Sequence, residues 1–69
     1  MLTPAEAAAV LRRAGARRVS VLDRRFRGLF AYFEFAGLVQ IWRLRADARI
    51  ENFARDVARE LGENQQKAA

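Results

Sequence analysis

The stretch Leu29-Phe-Ala-Tyr-Phe-Glu-Phe-Ala-Gly-Leu-Val-Gln-Ile-Trp-Arg-Leu44 contains five of the seven aromatic residues of this 69-residue chain. Strand-forming side chains dominate it, and Ala36-Gly37 near its middle suits a tight reversal. We therefore predict two strands of one hairpin, over residues 29–35 and 38–45. An isolated hairpin is marginally stable in water, so helices from the rest of the chain must cover one of its faces.

Two further elements are predicted before this hairpin. Thr3-Pro4-Ala5-Glu6 has the pattern of a capping box with proline in the first turn. Gly15 is typical of a helix C-terminus, which predicts a helix over residues 4–14. Val19 and Val21 indicate a strand over residues 18–22, followed by a turn over residues 23–28.

A second helix is predicted after the hairpin, with Asp47 as its N-cap and Gly62 as its end. The predicted fold class is α+β in the order α-β-β-β-α, a three-stranded antiparallel meander with two helices packed on one face. Residues 1–62 form its single compact domain, and residues 63–69 are expected to be a polar, disordered tail. The expected core combines one face of the hairpin with Val10, Leu11, Val19, Val21, Ile50, Phe53, Val57 and Leu61.

Composition excludes several kinds of chemistry. The chain has no cysteine and no histidine, so disulfides, thiol catalysis, the usual general base and the commonest metal ligand are all missing. The remaining nucleophiles and carboxylates form no recognisable catalytic set. We expect a protein that is not an enzyme and takes no cofactor or metal. The absence of cysteine and of a signal-peptide pattern favours a cytoplasmic setting, and the polar Glu34 and Gln40 argue against a membrane span over residues 29–45.

The charge points to an anionic partner. Thirteen basic and eight acidic residues give a net charge of +5, and twelve of the basic residues are arginine. Such a chain is attracted to phosphate or to an acidic protein surface. An excess of arginine and alanine also arises from a GC-rich coding genome, so composition alone does not separate these two origins.

Two short helices can cover only one face of the sheet, and neither face of the hairpin is convincingly polar. An apolar, aromatic patch should therefore remain on the helix-free face, where a second copy of the chain or a protein target would bind. The alternative is that curled strands and arginine stems shield the rings. The residues predicted for this interface are Phe30, Tyr32, Trp42 and Leu44.

The turn between the first two strands carries Arg24-Arg25-Phe26-Arg27. Guanidinium groups beside an aromatic ring suit phosphate contacts combined with stacking on a base. The structural alternative is a solvated turn with Phe26 folded onto the core. The residues predicted to bind nucleic acid or another anionic partner are Arg17, Arg18, Arg24, Arg25, Phe26 and Arg27.

The order helix, three strands, helix resembles the double-stranded-RNA-binding domain and the related HicA toxin fold. The segment Leu11-Arg12-Arg13-Ala14-Gly15 looks like the end of the first helix in HicA-type proteins. In the RNA-binding family the loop between the first two strands enters the minor groove, a position that falls on residues 24–27 here. The HicA catalytic histidine has no counterpart, and residues 47–51 lack the lysines that begin the last helix of the RNA-binding family. The resemblance therefore implies the fold and nucleic-acid contact without ribonuclease activity.

Two functional hypotheses follow. The first is a small basic binding protein, an inhibitor or adaptor that occupies a surface of a protein or nucleoprotein target. In size and style it is similar to the accessory and anti-defence proteins of phages and plasmids, including anti-CRISPR proteins. The second is a domain that binds RNA or DNA directly through the basic hairpin loop.

Overall fold

The computed structural model describes residues 1–68, apart from the side chains of Phe26 and of residues 63–68. The α+β class and the α-β-β-β-α order are confirmed. The strands form one antiparallel sheet in the order β1-β2-β3. The elements are α1 (Pro4–Arg13), β1 (Arg17–Asp23), a short 3₁₀ turn (Arg25–Arg27), β2 (Leu29–Phe35), β3 (Leu38–Leu44) and α2 (Ile50–Ala68).

The predicted capping box begins α1. The backbone N–H of Thr3 donates to Glu6 Oε1 at 2.9 Å, and the backbone N–H of Glu6 donates to Thr3 Oγ1 at 3.1 Å. The first of these bonds stabilises the carboxylate, so the pKa of Glu6 lies below its ordinary value. Ala7, Ala8 and Leu11 are then buried, and the helix packs against β1 and α2. This local prediction is confirmed.

The hairpin turn is also where the sequence predicted it. Ala36 and Gly37 have φ angles of 53° and 81°. Positive φ at both central residues is the requirement of a type I′ turn, whose twist matches that of the flanking strands. The turn sets the register of β2 and β3, in which Phe35 lies opposite Leu38 and Leu29 opposite Leu44.

Both predicted ends of the second helix are wrong. Asp47 is not the N-cap, because α2 begins at Ile50 and the backbone N–H of Phe53 donates to the carbonyl of Arg49. The Asp47 carboxylate instead accepts two hydrogen bonds from Arg45, at 3.1 and 3.0 Å. Gly62 does not take the left-handed conformation of a helix stop, and the helical backbone continues to Ala68. The prediction of a disordered tail over residues 63–69 remains a prediction.

The core lies between the helices and one face of the sheet. Every second residue of β2 is buried, and the same face of β3 carries the half-buried Trp42 and the buried Leu44. Leu11, Phe53, Val57 and Leu61 are buried as expected, with Val10, Val19, Val21 and Ile50 packed against them. The expected core left out four buried residues: Leu2, whose backbone N–H donates to the carbonyl of Ala46, and the alanines Ala7, Ala8 and Ala16.

Candidate functional site

The face of the sheet turned away from the helices is the first candidate binding surface. Central strand β2 contributes Phe30, Tyr32 and Glu34, since its other residues point into the core. Cross-strand neighbours share a face, so the register defines the rest of this surface. We call the following set the open face: Arg17, Ser20, Leu22, Phe30, Tyr32, Glu34, Val39, Ile41 and Arg43.

The margins of the open face are apolar and accessible. Val39 and Ile41 on β3 are 77% and 63% exposed, and Leu22 on β1 is 42% exposed. The rings of Phe30 and Tyr32 are half-buried, because they lie on the central strand between neighbours on both sides. The expected apolar patch is therefore present, with its rings partly shielded and its aliphatic margin open to solvent.

The charged groups of the open face are held at its two ends. Glu34 Oε2 lies 4.0 Å from Arg18 Nε, so this acid is paired with an arginine. At the other end Arg43 Nε donates to the carbonyl of Arg27 at 3.2 Å. These contacts leave the middle of the face, around Tyr32 and Ile41, to uncharged side chains.

Two of the four residues predicted for the interface are on the wrong face. Trp42 and Leu44 point toward the helices, while Phe30 and Tyr32 lie on the open face. Trp42 packs edge-to-face on Phe33 with ring centroids 5.1 Å apart, and its Nε1–H donates to Gln40 Oε1 at 2.9 Å. Leu44 is buried.

The sequence contained the signal needed to avoid this error. A turn at Ala36-Gly37 pairs Tyr32 with Ile41 and Ala31 with Trp42. Because consecutive residues of a strand point to opposite faces, Tyr32 and Trp42 cannot share one. The exposed residues that the prediction missed, Val39 and Ile41, follow from the same pairing.

The predicted anion-binding residues do not form one patch. Arg24, Arg25 and Arg27 lie in the loop between β1 and β2, whereas Arg17 and Arg18 begin β1 at the other end of the sheet. Five strand residues, 19–23, lie between Arg18 and Arg24, which separates the two groups by about 20 Å. The side chain of Phe26, predicted to stack on a base, lies outside the part of the chain that the structure describes.

The loop arginines lie close to Arg43 and Arg45 rather than to Arg17 and Arg18, and the sequence did not predict this grouping. A shallow pocket at this end of the sheet is lined by Arg25, Arg27, Arg43 and Arg45, together with Asp23 and Asp47. The antiparallel register brings the end of β3 beside the loop, and Gly28 makes the close approach possible: a Cβ there would lie 2.7 Å from the Leu44 carbonyl oxygen. We call Arg25, Arg27, Arg43 and Arg45 the basic end.

The two aspartates moderate the charge of the basic end. Asp47 is paired with Arg45 at 3.0 Å. The guanidiniums of Arg25 and Arg27 are solvent-exposed and have no ion-pair partner among the described side chains. This arrangement can contact a phosphate or a carboxylate.

Within the described residues, no group of three or more carboxylates is placed to hold a metal ion. None of the described helices combines the length and the apolar character needed to cross a bilayer. No family model, curated protein or solved structure matches the chain. The resemblance to the double-stranded-RNA-binding domain and to HicA therefore stays a prediction.

Proposed function

We propose that this protein is a non-enzymatic inhibitor or adaptor that works in the cytoplasm by occupying a surface of a protein or nucleoprotein target. It would act in the manner of the small accessory and anti-defence proteins of phages and plasmids, such as anti-CRISPR proteins. The observation that supports this proposal is the accessible apolar margin of the open face, formed by Leu22, Val39 and Ile41 around two half-buried rings. Contiguous apolar surface of this kind on a small domain is typical of association sites.

The charge pattern indicates the kind of target. Arg18 and Arg43 flank the uncharged middle of the open face, and the whole chain carries a net charge of +5. A complementary target would have an apolar patch with acidic or phosphate groups around it, because such groups steer association and fix orientation. A nucleoprotein presents both kinds of surface.

The test compares open-face variants with a variant on the solvent side of α2. Val39→Ser and Ile41→Ser remove exposed apolar groups, whereas Arg55→Ser changes an exposed helix residue away from this face. Partners captured from extracts of the cells that carry the gene are purified and their affinity is measured by calorimetry. We expect Ile41→Ser to weaken binding at least about tenfold and Arg55→Ser to leave it unchanged. Folded open-face variants that keep every partner at full affinity would contradict the proposal.

A second copy of the chain is the other occupant predicted for the open face. A homodimer through this face would bury Tyr32 at the centre of the contact. Tyr32→Ser should then lower the concentration-dependent mass seen by light scattering. A mass that does not change with this variant rejects a face-to-face dimer.

The second candidate function is direct binding of RNA or DNA through the basic end. It is supported by the convergence of Arg43 and Arg45 on the loop arginines. Because each neutralised phosphate releases counterions, affinity should fall steeply with salt concentration. Changing Arg25 and Arg27 to alanine should reduce both the affinity and the salt slope, while changing Arg17 and Arg18 at the far end should have less effect. A flat salt response rejects this candidate.

A further inference from the structure

The outer edge of β3 presents free backbone groups in a defined pattern. The hairpin turn joins the Phe35 carbonyl to the Leu38 N–H, so these residues form a hydrogen-bonded pair. Such pairs alternate along an antiparallel ladder, and Gln40 and Trp42 therefore also bond to β2. The N–H and C=O groups of Val39, Ile41 and Arg43 then point away from the sheet. The bond from the Leu2 N–H to the Ala46 carbonyl lies beyond the end of β3 and leaves them uncovered.

The two edges of the sheet differ in how they resist pairing with another strand. On β1 the register shifts between Arg17 and Ser20, and Arg18 has a φ of 52°. A bulge of this kind bends an edge and blocks extension of the ladder. The β3 edge is regular over all seven residues, contains no proline or lysine, and carries its one charge at Arg43. Apart from the charge of Arg43, it has none of the usual protections of an exposed edge.

We propose that β3 pairs with β3 of a second copy, antiparallel and centred on Ile41. In this register Ile41 exchanges both hydrogen bonds with its own counterpart, and Val39 does so with Arg43 of the second copy. The two-fold axis stands perpendicular to the sheet, as a self-complementary contact requires. The product is one six-stranded sheet in which both open faces point the same way.

Charge and side-chain contacts favour this register over one centred on Arg43. Pairing centred on Arg43 would place two guanidiniums directly opposite each other, which destabilises a ladder. Centring on Ile41 separates them and sets each against the aliphatic Val39. The exposed Leu38, 65% accessible, then lies opposite Leu44 of the second copy on the helix side. The contact extends the apolar margin of the open face across both chains, and it does not depend on the function proposed above.

The test introduces a charge that is favourable within its own chain and unfavourable across the proposed dimer contact. Val39 lies opposite Glu34 in its own chain, so Val39→Lys keeps a favourable contact there while facing Arg43 of the second copy. We expect this variant to fold normally and to raise the dimer dissociation constant about tenfold, because two like-charge contacts form. Adding Arg43→Glu should restore dimerisation, since each introduced ammonium then faces an introduced carboxylate. Sedimentation over a range of concentrations measures these constants.

Amide hydrogen exchange checks the register independently of any variant. Raising the wild-type concentration should slow exchange at Val39, Ile41 and Arg43, while Gln40 and Trp42 are protected at every concentration. Ile41→Pro removes only an outward-facing donor and should abolish the dimer. Tyr32→Ser on the central strand should leave it intact, which separates edge pairing from a face-to-face dimer. The proposal is overturned by a wild-type chain that stays monomeric at millimolar concentration, by a dimer that Val39→Lys and Ile41→Pro both leave intact, or by failure of the charge reversal to restore it.

Discussion

The two faces of the central strand β2 have similar apolar content but differ in burial. Leu29, Ala31, Phe33 and Phe35 point to the helices and are buried, whereas Phe30, Tyr32 and Glu34 alternate with them and remain half-buried. On the covered face Phe33 packs edge-to-face with Trp42. On the open face the rings lie between residues of the two neighbouring strands.

Charge placement accounts for the difference. Glu34 and Arg43 lie on one face, and burying either under a helix would cost several kcal/mol without a well-placed partner. The covered face has only Gln40 as a polar residue on β2 and β3, and Gln40 accepts the indole N–H of Trp42. Two charges among many apolar residues are therefore enough to decide which side becomes the core.

The largest predicted effect comes from breaking the covered face. Phe33 is 2% exposed, and Phe33→Ala should cost about 3–5 kcal/mol through lost burial and a residual cavity. A domain of this size has a net stability of the same order, so the variant should be largely unfolded at 25 °C. Far-UV circular dichroism and urea titration measure the loss.

The matched control removes an aliphatic side chain from the open face. Ile41→Ala should change the free energy of unfolding by less than about 1 kcal/mol, because Ile41 is 63% exposed. Similar losses for Phe33→Ala and Ile41→Ala would mean that the two faces are not energetically distinct.

The next effect concerns the close approach between the basic loop and β3. Gly28 has a φ of 86°, and a Cβ there would meet the Leu44 carbonyl oxygen at 2.7 Å. Gly28→Ala should therefore destabilise the protein by about 1–3 kcal/mol and disturb the strand ends that present the basic end. Chemical denaturation provides the number.

Gly62 is the control for this substitution. It lies within α2 with open space around it, so Gly62→Ala should stabilise the protein by about 0.5–1 kcal/mol. A stabilising Gly28→Ala would show that the loop and β3 are farther apart than described.

A smaller effect is expected at the Ala36-Gly37 turn, which sets the register of β2 and β3 and so determines which residues lie on each face. Ala36 has a φ of 53°, which asparagine tolerates better than alanine does. Ala36→Asn should raise the free energy of unfolding by about 0.5 kcal/mol, and Ala36→Val should lower it because a β-branched residue resists this conformation. Thermal melts of the two variants should move in opposite directions.

The smallest effect is a pH dependence at the start of α1, one of the helices that cover the sheet. The folded pKa of Glu6 lies below its ordinary value of 4.5, because the carboxylate accepts the Thr3 N–H. The contribution of Glu6 to the free energy of unfolding is fully present above that value and is lost as the pH falls through the lower folded pKa. Glu6→Gln should flatten the acid side of the stability profile.

Thr3→Ala tests which bond causes this dependence. It removes the hydroxyl but keeps the backbone N–H that Glu6 accepts, so stability should fall by about 1 kcal/mol while most of the pH dependence remains. Loss of the whole pH dependence in Thr3→Ala would assign the effect to the hydroxyl instead.

The element order, the capping box, the bounds of β2 and the turn at Ala36-Gly37 could all be predicted from the sequence. These features depend on residues within a few positions of one another: an N-cap and its partner, a two-residue turn, an alternating strand. The existence of an uncovered apolar face also followed, because the length of the chain limits how much sheet its helices can cover. By itself the sequence thus determined the order of the helices and strands, their local caps and turns, and the presence of one sheet face that the helices do not cover.

Tertiary structure decided which face the helices cover. Trp42 and Leu44, which were predicted for the interface, lie on the core side of the sheet. It also separated Arg17 and Arg18 from the loop arginines and brought Arg43 and Arg45 to them. It also set the ends of α2. At the start of this helix the Asp47 carboxylate accepts hydrogen bonds from Arg45 and does not serve as the cap. The contact that replaces the cap at Asp47 is local, since Arg45 is only two residues away. The packing of the helices on one sheet face and the grouping of the arginines depend instead on contacts between elements distant in sequence, which are determined by the free energy of the whole core.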